Sequence, residues 1–229
     1  MHPDGRESDT VATGERSHAP VFFLSYAQAA TRSLKQNRER NLRVMEFFDE
    51  LSEHVSGLLG LRAGEDPGFM DRTMTGGQRW TRELLHAAGT CQVFVPLVSP
   101  GLVRSPWCAM EWDAFSRREI VRRDDGGPAW ESGILPVSWI QTEYDVLPAV
   151  VREIQHFAPI RLPNPDYAAD YQQEGLYGLL ALKSDAYSAV VWRLAQRIVE
   201  VYRTHRVTHL VPSGTDSLRN VFTEKEEVA

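Results

Sequence analysis

Apolar positions along the chain change period several times, and each change marks an element. Val21 to Tyr26 is a short, aromatic-rich apolar run behind Pro20, the pattern of a strand. From Arg38 to Leu59 the apolar positions become Val44, Phe48, Leu51, Val55 and Leu58. That spacing predicts a helix, with Gly60 as its stop. A weaker strand is expected around 68–71, then a loop from Arg72 to Gly77. A short helix follows, carrying Trp80, Leu84, Leu85 and Ala88 and closed by Gly89. Cys91 to Val98 is the most continuous apolar run, as expected of a strand buried on both faces, with Pro96 ending its ladder. Ser105 and Pro106 read as N-cap and first residue of a helix running to roughly Arg123. Further strands are expected at 133–140 and 156–162. A last helix, about 184–203, carries Val190, Leu194, Ile198 and Val201 on or near one stripe.

This alternation predicts an α/β fold, a parallel sheet with helices on both faces. It occupies a body from Pro20 to Arg206. Residues 1–19 hold almost nothing large and apolar and are expected to be disordered. Residues 207–229 contain a Pro-Ser-Gly break and an acidic end, and read as a linker or flexible tail with a docked segment around Leu218 to Phe222.

Composition narrows the function. Among 229 residues, Lys and Arg number 25 and Asp and Glu 31, a net charge of -6. That disfavours nucleic acid and anionic membrane as partners, which call for a basic surface. Two cysteines, Cys91 and Cys108, exclude a disulfide scaffold and a Cys-rich metal centre. No apolar run approaches the ~20 residues of a membrane-spanning helix. The N-terminus lacks an apolar leader core, so the chain reads as cytoplasmic. Gly76-Gly77 belongs to neither a dinucleotide fingerprint nor a phosphate-binding loop. His205 and His209 have metal-compatible spacing but no third ligand, so no metal is expected.

In an open α/β sheet, ligands bind beyond the carboxyl ends of the strands. The stretches to inspect are therefore Ser25 to Ala27, Asp71 to Gly77 and Ser99 to Glu111. With Ser105 as cap, Trp107 and Glu111 stand at i and i+4 and share one face of the first two helical turns. A carboxylate beside a large π-face can bind a cationic heteroaromatic group and stabilise positive charge. The same spacing also suits a core Trp and a solvated acid near a helix start. Cys108 at that helix start reads as a buried small hydrophobe rather than a reactive thiol.

Five ordered segments carry a family resemblance. They are Phe-Phe-Leu-Ser-Tyr (22–26), Gly-Phe-Met-Asp (68–71), Gly-Gly-Gln-Arg-Trp (76–80), Val-Phe-Val-Pro-Leu-Val-Ser (93–99) and Ser-Pro-Trp-Cys-Ala-Met-Glu (105–111). Together they resemble a TIR (Toll/interleukin-1 receptor) domain, and most nearly the TIR-like proteins of actinobacteria. The resemblance implies a flavodoxin-like sheet of about five parallel strands and, as in many bacterial and plant members, cleavage of NAD. The family's catalytic glutamate falls on Glu111 and its preceding aromatic on Trp107. Ser25, Tyr26, Asp71, Arg72, Gly76 and Trp80 are the further candidate substrate contacts. NAD is then a substrate, and no cofactor is implied. The loop after the second strand, roughly 72–78, is the segment through which such domains assemble, so a homo-oligomer and signalling partner proteins are expected. The stretch 163–181 exceeds a minimal domain of this kind, and Tyr26 is followed by Ala-Gln-Ala-Ala where some members carry charged residues.

One carboxylate suffices for that chemistry. The nicotinamide ring of NAD is already cationic and leaves the ribose as a neutral molecule, so no general acid is needed. The ribose passes through an oxocarbenium-like state that an adjacent carboxylate stabilises. Water then gives ADP-ribose; an adenine nitrogen gives a cyclic product. The rival reading is a non-catalytic TIR scaffold acting through protein contacts. A phospho-acceptor receiver of similar topology would need an acidic cluster after the first strand, which Ser25-Tyr26-Ala27 lacks.

Overall fold

The computed structural model describes residues 19–28, 34–71, 81–129 and 131–223. The first strand, β1 (Phe22–Ser25), leads to the long helix α1 (Leu34–Leu59), which stops where Gly60 takes φ +67. Next come β2 (Gly68–Met70), α2 (Arg82–Thr90) and β3 (Val93–Val98). A single 3-10 turn, Leu102–Arg104, leads into α3 (Pro106–Ser116). After it lie β4 (Ile120–Arg122), β5 (Val137–Ser138) and the short α4 (Ala149–Arg152). The chain closes with α5 (Asp166–Ala181), kinked at Gly175, then α6 (Asp185–Thr204) and β6 (His205–Val207).

Four strands form a parallel sheet in the order β2-β1-β3-β5. Successive side chains on a strand point to opposite faces. Phe22, Leu24, Val93, Val95 and Leu97 accordingly enter one core with α1, α5 and α6, while Phe23, Phe94 and Val98 enter a second with α2 and α3. That is an α/β sandwich of helices on both faces of a parallel sheet, as the alternation predicted. β4 and β6 pair antiparallel as a separate two-stranded ribbon.

Several expected elements differ. The helix expected to reach Arg123 ends at Ser116, because the Arg118 side chain turns inward onto backbone carbonyls and residues 120–122 pair with β6. The strand expected over 133–140 shrinks to 137–138: Pro136 has no N–H to donate, so Ile134 makes only an isolated bridge to Phe94. The strand expected over 156–162 is absent. Pro159 removes a donor, Arg161 takes φ 55, and the Phe157 N–H reaches the Pro136 carbonyl at 2.8 Å. Pro96 does not end β3, which continues to pair with β5 at Leu97 and Val98; it is β1 that ends opposite Pro96. Gly89 lies inside α2 rather than after it, and Cys91 caps that helix. The stretch 163–181 is mostly α5, packed on α6.

Candidate functional site

The carboxyl ends of three strands deliver the site. β1 ends in Ser25, wholly buried, and Tyr26 follows; β2 ends in Met70, and Asp71 follows. Because Leu24 pairs with Met70, these two exits are side by side, and the Tyr26 hydroxyl donates to the Asp71 carbonyl at 3.2 Å. β3 exits through Ser99, whose Oγ accepts the Leu102 N–H at 3.2 Å and turns the chain into the 3-10 segment. Ser105 then caps α3, accepting the Cys108 N–H at 3.3 Å, with Pro106 at the first helical position.

That cap sets the phase of α3. Its second turn brings Glu111 beneath the end of β1, where the side chain is only 5% exposed and accepts a hydrogen bond from Ser25 Oγ. Among the described residues no Lys or Arg forms an ion pair with Glu111. Burial raises its carboxyl to about 8, and the Asp71 charge pushes the same way; the Ser25 hydroxyl opposes them. Trp107, one turn earlier, is half-buried against the second core. Cys108 is buried, and its thiol is pushed up to about 12 by burial first and then by the Glu111 charge. It is a packing residue, as expected. Tyr26 is raised too, mainly by burial, with Asp71, Glu111 and Cys108 adding to the shift and a hydrogen bond from Gln28 opposing it.

Ser25, Tyr26, Asp71 and Glu111 thus come together, from segments far apart in sequence. Arg72, Gly76 and Trp80, with the rest of 72–80, lie outside the described residues. Among the described residues no group of three His, Cys, Asp or Glu side chains has the placement to hold a metal ion. Among the described residues, a cleft of about 350 Å³ beside Tyr144 and Arg152 and one of about 520 Å³ beside Trp112 and Arg219 are lined without Glu111. The site is singled out by its chemistry. A buried acid with one neutral donor is costly to ionise, and such groups cluster where proteins act.

Behind α3, the docked segment expected around Leu218 to Phe222 is present, with Leu218, Val221 and Phe222 packed on the second core, but the buried polar groups there were missed by sequence reasoning. Asp113 and Arg118 are buried charged residues. Gln92, also buried, exchanges hydrogen bonds with the Val207 backbone. The signal available was the charged Asp113 among the apolar Ala109, Trp112 and Phe115, with Arg118 soon after.

The family model described as the TIR domain matches residues 49–174, more than half of the chain. That span takes in Asp71, Trp107 and Glu111 and begins after Ser25 and Tyr26. No curated protein matches the chain.

Proposed function

Because this chain belongs to the TIR domain family, we propose that it cleaves the nicotinamide–ribose bond of NAD, with Glu111 as the catalytic carboxylate. The observation that carries this reading is the Glu111 carboxyl, buried at the carboxyl ends of the sheet with Ser25 as its neutral donor.

In this reading the C–N bond breaks with its electron pair passing to the nicotinamide nitrogen, so the ring leaves neutral. The ribose carbon becomes cationic, and Glu111 stabilises that charge at close range in a low dielectric. Attack by water forms ADP-ribose and releases one proton; attack by an adenine nitrogen closes a cyclic product. A carboxyl raised to about 8 is mostly protonated at neutral pH. The arriving pyridinium lowers that value, since an opposite charge nearby favours the ionised form. Substrate binding therefore expels a proton and creates the anion that the reaction uses. Trp107 supplies an aromatic face one turn away for the cationic ring. Ser25, Tyr26 and Asp71 line the strand ends, and Arg72, Gly76 and Trp80 complete the proposed contacts.

The loop 72–78 is proposed to meet a second copy, so that assembly shields the site from water. A cytoplasmic role in signalling or defence, with protein partners as well as NAD, completes the proposal. The test is to incubate the purified protein with NAD over a hundredfold range of protein concentration and identify products by mass spectrometry. Nicotinamide release that rises per subunit with concentration and vanishes in Glu111→Gln is the expected result. Absence of release at every concentration would replace the enzyme reading with that of a scaffold.

A further inference from the structure

The stretch after α6 leaves the body of the domain and returns across the back of α3. Beyond β6, the Thr208 N–H donates to the Glu119 carbonyl at 2.9 Å and the Glu119 N–H to Thr208 Oγ at 3.1 Å. Leu210 N–H then reaches the Gly89 carbonyl at 2.9 Å. The approach is so close that a Cβ on Gly89 would stand 2.5 Å from the Val211 Cα. At this crossing Arg118 gathers three carbonyls: Thr208 (2.8 Å), Ala88 (3.0 Å) and Cys91 (2.6 Å). Two of these belong to the end of α2, the negative pole of that helix.

Farther along, the Arg219 N–H donates to Asp113 at 2.8 Å, and Val221 is buried. The Phe222 ring meets Trp112 edge-on at 5.8 Å, while the same indole meets Phe94 of β3 at 6.1 Å and 88°. Trp112 thus sits between the sheet and the returning segment. It is the residue next to Glu111. Helix α3 is held from the front by the sheet and from behind by 205–223, through the Arg219 N–H on Asp113 and the Phe222 ring on Trp112, while the Arg118 guanidinium just past its end ties the returning segment to α2.

We propose that residues 205–223 are a strap that sets the position of α3, and that Trp112, Asp113 and Arg118 are positioning residues through which it holds the Glu111 carboxylate against Ser25. The proposal rests on reading Glu111 as the acid of the site. The physical reason is the steepness of short contacts. A hydrogen bond weakens sharply with a few tenths of an ångström of lengthening or with misalignment. A small shift of α3 also lets water reach a carboxyl whose other facing groups are Ser25, Tyr26, Asp71 and Cys108.

The test follows Glu111 directly. In protein carrying 13C-carboxyl glutamate, the Glu111 signal is assigned by its loss in Glu111→Gln and titrated in the full chain. Two variants loosen the strap without touching the site: Phe222→Leu, which removes the ring from Trp112, and Gly89→Ala, which favours helix α2 but collides with Val211. Lengthening the Ser25 hydrogen bond pushes the Glu111 midpoint up and admitting water pushes it down. Burial is the larger of the two influences, so the expected result is a folded domain by circular dichroism in which the midpoint falls by one unit or more. An unchanged midpoint in either folded variant would overturn the proposal. NAD turnover by the wild type is read separately. If it is absent, the enzymatic reading fails while the titration still decides whether the strap positions Glu111.

Discussion

Glu111 and Asp113 stand two residues apart on α3, one facing the strand ends and the other facing the strap, and both are almost wholly buried, at 5% and 1% exposure. Their surroundings are opposite. Asp113 receives the Arg117 guanidinium, the Arg219 N–H and, at 3.5 Å, the Arg219 side chain. Glu111 receives the Ser25 hydroxyl. A buried acid can be made comfortable within one helical turn, and in this helix one was and the other was not. An acid left without a counter-charge in a dry site stabilises no fold; it is available to ionise against an incoming cation.

The largest effect should come from removing that available charge. Glu111→Gln keeps the shape and a polar head, so the domain should fold, while nicotinamide release should fall by roughly a hundredfold or more, the scale for losing one preorganised electrostatic partner. Stability should move the other way at high pH. The folded carboxyl titrates near 8, against 4.5 for an ordinary one. The native state therefore holds a proton that the unfolded chain has already lost, and stability declines as pH rises from about 4.5 to about 8. The decline is on the order of 5 kcal/mol at most. Glu111→Gln should flatten it, so thermal melts of the two proteins should agree near pH 4 and diverge, with the variant the more stable, at pH 8. A variant destabilised at every pH would mean that Glu111 serves the fold as Asp113 does.

The converse substitution is Asp113→Ala. It strips Arg117 and the Arg219 backbone of a buried acceptor and should cost about 3 kcal/mol, read from urea or thermal unfolding. A cost below about 0.5 kcal/mol would show that the two acids differ less than their contacts suggest.

Trp107 was legible as a candidate for the same reasons as Glu111, and the contrast between α3's two faces shows how far such reading extends. The cap at Ser105-Pro106 fixes helical phase, so placing Trp107 and Glu111 on one face needed nothing beyond local sequence. Ser25 was identified only through the rule that sites form at strand ends, and its hydroxyl bond to Glu111 depends on a register between segments 86 residues apart. The helix that stops at Ser116 and the missing strand at 156–162 misled for a common reason. Each hinged on a tertiary contact, Arg118 bending onto carbonyls of α2, or the Phe157 N–H taken by the Pro136 carbonyl. Apolar periodicity records which face is buried, but not which backbone groups will find partners.

Trp107→Ala measures whether the open face of α3 recognises substrate. The indole is half-buried against the second core. The loss of stability should therefore stay below the ~3–5 kcal/mol of a fully buried Trp. Apparent KM for NAD should rise and kcat fall, together lowering kcat/KM by roughly tenfold, about 1.4 kcal/mol. Turnover per folded molecule unchanged, alongside a large drop in melting temperature, would assign Trp107 to packing alone.

The smallest effect, and the sharpest probe of the comparison, is expected from Ser25→Ala. The substitution deletes one oxygen from a buried position and leaves the strand, its register and the core side chains as they are. Ser25 is the group that opposes the upward push of burial and of Asp71 on Glu111, because its hydroxyl hydrogen bond favours the charged form. Without it the acid should titrate higher still. Since the carboxylate is the reactive form, kcat/KM for NAD should rise with pH through a midpoint near 8 in the wild type, and that midpoint should move upward by roughly half a unit to one unit in Ser25→Ala. At pH 7 this lowers kcat/KM by a few-fold; well above both midpoints the two proteins should converge. Convergence separates a donor that tunes the acid from one that touches the ribose, since a lost substrate contact would depress kcat/KM equally at every pH. A profile lowered in parallel, with its midpoint unmoved, would make Ser25 a substrate ligand and leave Glu111 without its described donor partner.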